Sequence, residues 1–185
     1  MTDHEPNDAE LMARLASGDT RALGQLAERH QARVLELAFR TLGHWDLAED
    51  VEQETFLRVY RAAKHYRPQA KFTTWLYRIV VNLCLDEQRR RAKAAAPLDS
   101  VAPEGLPATN GDPTERKEVA ELVRAAVQGL PERQRVAIVL YRYEGLNHAQ
   151  ISEATGWSQS AVESLLVRAY ANLRSKLAKV KNFVE

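Results

Sequence analysis

Between Ala94 and Pro113 the helical rhythm of this sequence stops. The stretch holds four prolines, two glycines and three consecutive alanines, and no apolar period runs through it. Proline cannot donate a hydrogen bond inside a helix and holds the residue before it extended, so the stretch reads as a tether. At about twenty residues it is also long for a connection within one compact domain. On both sides apolar residues recur at helical spacing, and nowhere do they alternate as in a strand. The 185-residue chain is therefore expected to be all-α, with two small helical domains at 1–93 and 114–185 and a flexible linker over 94–113. A tether of this length suggests mobile domains and leaves their arrangement in the free protein open.

Periodicity predicts helices over 8–16, 19–42, 46–64 and 72–92, interrupted at Ser17-Gly18, Gly43-His44 and Arg67-Pro68. Asp19 and Asp46 have the chemistry of N-caps. The second block is cut at Gly129-Leu-Pro131, Gly145-Leu-Asn147 and Gly156-Trp-Ser158.

With 45% apolar and 28% charged residues the chain has the make-up of a soluble globular protein. Its net charge of +1 conceals an acidic segment around Asp50 that nearly cancels the basic run Arg89-Arg90-Arg91-Ala-Lys93. A chain that partitions charge in this way is suited to one basic and one acidic partner. The single cysteine, Cys84, lies in an apolar run and reads as a core residue, and the five histidines lack metal-ligand spacing. The first twenty residues are acidic without an apolar core, and no run approaches eighteen apolar residues, so a cytoplasmic location is expected. No nucleophile–base pair, phosphate-binding loop or paired carboxylates can be assembled. The sequence thus calls for no catalytic residue, no cofactor and no metal.

The acidic segment, Asp46 to Phe56, places five carboxylates in eleven residues. On a helix Asp46, Glu49, Asp50, Gln53 and Glu54 share one arc of roughly 140°. Leu47, Ala48, Val51, Thr55, Phe56, Val59 and Tyr60 take most of the opposite side, with Glu52 the one polar intruder. A charged helix face is ordinarily solvated, but a face of one sign repels itself until something basic docks on it.

Two constellations suit nucleic acid. In the second block Asn147–Thr155, the turn Gly156-Trp157-Ser158 and a helix from Gln159 have helix-turn-helix spacing. Ile151, Ser152, Gly156, Trp157, Val162 and Leu165 fall where that motif needs small, turning and apolar residues. Along the second helix Val162, Leu165, Leu166, Ala169, Leu173 and Leu177 share one side. Gln159, Ser160, Glu163, Ser164, Val167, Arg168 and Arg174 are left to face a major groove. In the first block, helix 72–92 carries an apolar stripe of Leu76, Tyr77, Ile79, Val80, Leu83 and Cys84. Trp75, Arg78, Asn82, Asp86, Arg89 and Lys93 share a separate arc, with Arg90 beside it and the loop cations Arg67 and Lys71 just ahead. Cations for phosphate, an amide for base edges and a ring for stacking are what single-stranded DNA requires.

The patterns Asp46-x-Ala-Glu-Asp-x-x-Gln-Glu-x-Phe56, Phe72-x-Thr-Trp-Leu-Tyr-Arg-Ile79-x-x-Asn82, Arg89-Arg90, Leu130-Pro131 and the helix-turn-helix come in series. In that order, and with the intervening linker, the chain resembles the extracytoplasmic-function sigma factors, the small sigma-70 members with regions 2 and 4 only. The resemblance implies a promoter-specificity subunit of RNA polymerase without catalytic activity. It implies that Asp46, Glu49, Asp50, Gln53 and Glu54 dock on the clamp of the polymerase largest subunit. Arg67, Lys71, Trp75, Arg78, Asn82, Arg89 and Arg90 would open and hold the −10 element. Gln159, Ser160, Glu163, Ser164, Val167 and Arg168 would read the −35 element. Its implied partners are core RNA polymerase at the clamp and flap, promoter DNA, and a restraining anti-sigma factor, commonly membrane-anchored.

The recognition helix departs from the family pattern. Glu163, Leu165, Val167 and Tyr170 stand where cations or a histidine are usual, and Arg168 alone remains of the basic set. Fewer phosphate contacts weaken binding and flatten its salt dependence. Thr155 is more polar than the leucine usual before the turn glycine. The alternative reading is a helix-turn-helix regulator that does not bind core polymerase. It leaves the acidic arc and the Trp75/Arg78/Asn82 face without a purpose. A protein-interaction adaptor without DNA binding is the third.

Overall fold

The computed structural model describes residues 5–67, 71–94 and 113–184, apart from the side chains of 113–118 and 179–184. Most of the expected linker, and residues 68–70 of the loop before helix 72–92, lie outside them. Among the described residues the chain is all helix with no strand: α1 Asp8–Ala16, α2 Arg21–Leu42, α3 Trp45–Ala62 with a 3-10 turn at Ala63–His65, and α4 Phe72–Ala94. The second domain holds α5 Pro113–Gln128, α6 Glu132–Arg142, α7 His148–Thr155 and α8 Gln159–Val184.

The expected breaks are real, and their chemistry is local. Asn7 opens α1 with a capping box: its side chain accepts from the Glu10 amide at 3.0 Å while Glu10 accepts from the Asn7 amide at 2.8 Å. Gly43 closes α2 at φ 80°, a left-handed conformation that costs glycine little. The two expected N-caps differ in detail. Thr20 holds the cap position of α2, and Asp19, one residue earlier, accepts the Arg21 amide at 3.1 Å. The Arg14 guanidinium also binds Asp19, at 2.7 Å, and holds its carboxyl below the usual range. His44 precedes α3, so Asp46 lies within the first turn, where its charge meets the positive end of the helix.

In the first domain α2 packs against α1, α3 and α4. Leu11, Met12, Leu26, Val34, Leu37 and Phe39 are fully buried, and Phe39 stacks on Trp45 with ring centroids 4.1 Å apart. In the second, α6 and α7 pack on α8 around Val136, Leu140, Ile151 and Val162.

The two domains pack against each other, an arrangement the tether left open. α4 packs along α7, and α2 touches α5 and α6, so the apolar core runs without interruption from one domain into the other. This explains why α4 is buried on two sides. Leu76, Tyr77, Val80 and Cys84 are buried as expected, while Thr74, Val81 and Leu85, which continue from Tyr77 along a second row, are buried as well. Ile79 and Leu83, placed in the core by periodicity, are only half-buried.

Polar groups fasten the contact. Glu144, between α6 and α7, accepts from the Tyr77 hydroxyl at 2.6 Å and from Arg33 Nε at 3.0 Å. Burial first, and then the Glu144 carboxylate, push the Tyr77 phenol well above its ordinary range. Gln128 donates to the Arg40 carbonyl at 2.8 Å and accepts from Arg135 at 2.5 Å. The Arg40 guanidinium lies over the Tyr143 ring, 4.2 Å from its centroid. Gly43 is needed here twice, because a Cβ on it would come 2.8 Å from Gln128 Oε1.

Candidate functional site

Three surfaces collect the residues singled out by sequence. On α3, Asp46, Glu49, Asp50 and Gln53 are exposed together along one face, while Ala48, Val51, Thr55, Phe56 and Val59 are buried behind them. Tyr60, expected on the buried side, is exposed. Glu52 is half-buried, and burial, followed by the charge of Glu49, holds its carboxyl above the ordinary range. Glu54 differs from the other members of the arc. Its Oε1 lies 3.0 Å from Arg58 Nε and 3.6 Å from Arg61 Nη1. The acidic face continues into a groove between α3 and α4 lined by Asp50, Glu54, Asp86 and Glu87.

On α4, Arg78, Asn82 and Arg89 are exposed and Trp75 is half-buried. Trp75 meets Tyr66 edge-on at 5.0 Å and Phe72 at 5.7 Å, so its ring packs against other rings at the edge of the core. Arg67 donates to the Tyr66 carbonyl at 3.1 Å. Lys71, just before α4, lines a shallow cavity with Tyr66, Phe72 and Asn7. Arg89 pairs with Asp86 at 3.1 Å and Arg90 with Glu87 at 2.8 Å. Arg90 lines the acidic groove, apart from the arc of Trp75, Arg78 and Asn82.

Sequence reasoning missed three residues here. Arg58 and Arg61 border Trp75 and Ile79 in a second groove, and Tyr66 supports the Trp75 ring. The i, i+3 spacing of the two arginines, just past the acidic segment, was the available signal. Nothing in the polar loop marked Tyr66, whose hydroxyl is buried without a partner among the described residues.

The third surface is α8. Asn147 caps α7 through a box with Gln150, both bonds 2.9 Å. Gly156 ends α7 at φ 73°, and Ser158 caps α8 by accepting the Ala161 amide at 3.2 Å. Thr155, odd by family pattern, has a local purpose. Its hydroxyl donates to the Ile151 carbonyl at 2.7 Å and accepts the Trp157 amide at 3.2 Å, pinning the turn. Val162, Leu166 and Ala169 are buried, while Gln159, Ser160, Glu163, Ser164, Val167 and Arg168 are all exposed on the opposite side. Val167 is 65% exposed.

The turn geometry gives a first prediction. Gly156→Ala is expected to cost about 1 kcal/mol, because a Cβ is strained at positive φ. Nothing lies within 4 Å of that Cβ, so no clash adds to the strain. Thermal unfolding should show a midpoint lower by about 2–4 °C; an unchanged midpoint would contradict the turn described.

Comparison with known proteins assigns the class. Residues 26–94 match the family model Sigma-70 region 2, and residues 120–173 match Sigma-70, region 4. Those two modules in that order define a sigma-70-type initiation factor. The ECF RNA polymerase sigma factor SigM of Mycobacterium tuberculosis is 37% identical over 171 residues, 92% of this chain and 84% of that protein. The RNA polymerase sigma-H factor of Pseudomonas aeruginosa is 32% identical over 177 residues, 89% of this chain and 91% of that protein. Among solved structures, CnrH in complex with the cytosolic domain of CnrY has a TM-score of 0.68 at 31% identity, covering 93% of this chain and 97% of that one. The sigma factor RpoE of Bartonella quintana, solved with the anti-sigma factor NepR, shares the fold at a TM-score of 0.68 and 20% identity, covering 84% and 96%.

The chain belongs to the extracytoplasmic-function RNA polymerase sigma factors of the sigma-70 family. It is a transcription initiation factor that directs core RNA polymerase to promoters, and the reading as a stand-alone helix-turn-helix regulator falls away. No helix among the described residues is long and apolar enough to cross a membrane.

Proposed function

We propose that this sigma factor divides its work among the three surfaces, within domains at 1–93 and 114–185. The exposed arc Asp46, Glu49, Asp50, Gln53, with Glu54 at its edge, docks on a basic surface of core polymerase, the largest-subunit clamp. Arg67, Lys71, Trp75, Arg78, Asn82 and Arg89 hold the unpaired strand of the −10 element, with Arg90 at the border of that face. Unstacking a base costs a few kcal/mol, which stacking and phosphate contacts must offset. Gln159, Ser160, Glu163, Ser164, Val167 and Arg168 read duplex DNA at the −35 element, while the second domain meets the polymerase flap. The protein has no catalytic role of its own and acts in the cytoplasm.

The observation that carries this reading is the exposure of all six α8 residues and of Arg78 and Asn82 opposite buried apolar rows. Restraint by an anti-sigma factor follows from the same reading. It is supported by CnrH, which was solved bound to the cytosolic domain of another protein, CnrY. A partner presented as a cytosolic domain fits an anti-sigma factor anchored in the membrane.

Run-off transcription with purified core polymerase on pooled genomic fragments tests the assignment. Discrete transcripts should depend on this chain, and Asn82→Ala should reduce them at least tenfold with polymerase binding unchanged. Equal loss of binding and transcription would argue against a melting role for α4.

A further inference from the structure

We propose that Glu54 couples the two interfaces of the first domain: polymerase docking draws its carboxylate away and frees Arg58 and Arg61 to bind phosphates of the opened DNA strand. The inference rests on the proposed −10 and clamp assignments and adds to them a connection between the two.

Two grooves adjoin between α3 and α4. The first is acidic, lined by Asp50, Glu54, Asp86 and Glu87. The second is bounded by Arg58, Arg61, Trp75 and Ile79. Arg58 lines both, so it stands on the ridge that separates them. A single oxygen, Glu54 Oε1, holds Arg58 at 3.0 Å and Arg61 at 3.6 Å. In the free protein this carboxylate cancels charge in the groove that Arg58 and Arg61 share with Trp75.

The occupant of the second groove follows from its chemistry. Two guanidiniums beside a half-buried indole match an unpaired nucleic-acid strand, with phosphates on the arginines and a base against the ring. Arg78 and Asn82 lie on the same helix as Trp75, exposed, so the groove extends that face across to α3. The arginine side chains are 42% and 66% exposed, which leaves them able to turn from one anion to another. Exposed ion pairs are weak, so exchanging the Glu54 carboxylate for a phosphate meets little resistance once a basic surface has engaged Glu54. Linkage makes the effect reciprocal: DNA in the groove strengthens docking by the same factor.

The test uses the full chain without polymerase and a short fluorescein-labelled oligodeoxythymidylate, with anisotropy read across a salt titration. Glu54→Gln should bind several-fold tighter than the unaltered protein. Two added phosphate contacts, at about −0.7 each, should steepen the plot of log K against log salt by about 1.4. Glu28→Gln removes an equal charge from an exposed position on α2 and should leave the slope alone. Adding Arg58→Ala and Arg61→Ala to Glu54→Gln should erase the gain. The coupling is overturned if Glu54→Gln and Glu28→Gln behave alike, or if the gain survives loss of both arginines. Weakened binding in Arg78→Ala with no response to Glu54→Gln overturns the coupling and leaves the −10 face standing. No response in either variant overturns both.

Discussion

Glu49→Arg combined with Asp50→Arg is expected to abolish binding to core RNA polymerase without unfolding the protein. Both side chains are exposed, and the neighbouring apolar residues Ala48 and Val51 that hold α3 in place are untouched. The helix itself tolerates the change, because a cation at position 50 faces Glu54 one turn on, a favourable pairing. The docking surface does not tolerate it. Like charges set against each other across an interface cost several kcal/mol, and about 4 kcal/mol is already a thousandfold in affinity. Native gel shift with core polymerase should show no complex, while circular dichroism shows unchanged helicity. A retained complex would sink the docking assignment. Raised salt should weaken the unaltered complex as well, since the attraction is between exposed charges.

The acidic arc could be read from sequence because it is a one-dimensional pattern. A carboxylate every third or fourth residue fixes a helix face whatever packs behind it. The same holds for the turn at Gly156, whose glycine and flanking caps are local chemistry, and for the row Val162, Leu166, Ala169 that turns Ser160, Glu163 and Arg168 outward. What escaped is non-local. Tyr77 fits the apolar stripe of α4, and that pattern gives its hydroxyl no partner. Its acceptor, Glu144, lies 67 residues away in a segment that looks like a solvated loop. The row Thr74, Tyr77, Val81, Leu85 was the legible clue: an amphipathic helix needs one apolar side, and α4 has two. Tether length argued for mobile domains, but loop length sets only a slowly varying entropy, and an apolar face of this kind outweighs it.

Glu144→Ala is expected to loosen the packing of the two domains, and the reason lies in what it leaves behind. The Glu144 side chain is 3% exposed, and two donors converge on its Oε2. A carboxylate so placed is held by those bonds, and removing it has unequal effects on the donors. Arg33 is 55% exposed and recovers water. The Tyr77 hydroxyl is buried with no other acceptor among the described residues, and an orphaned buried donor costs about 1–3 kcal/mol. At about 2 kcal/mol the unfolding midpoint should fall by about 4–8 °C. Tyr77→Phe removes the donor while Glu144 keeps Arg33, so its cost should be nearer 1 kcal/mol. Combining the two removes the orphan, and the double variant should be more stable than the sum of the singles predicts, a coupling of about 1 kcal/mol. Small-angle scattering supplies the second reading. A compact body of 185 residues has a radius of gyration of about 16 Å, and Glu144→Ala should raise the measured value toward that of two tethered bodies. Strict additivity of the two substitutions would deny the bond its energetic role. A lowered midpoint with an unchanged radius would assign the holding of the domains to the apolar faces of α4 and α7, with Glu144 serving only to satisfy the buried phenol.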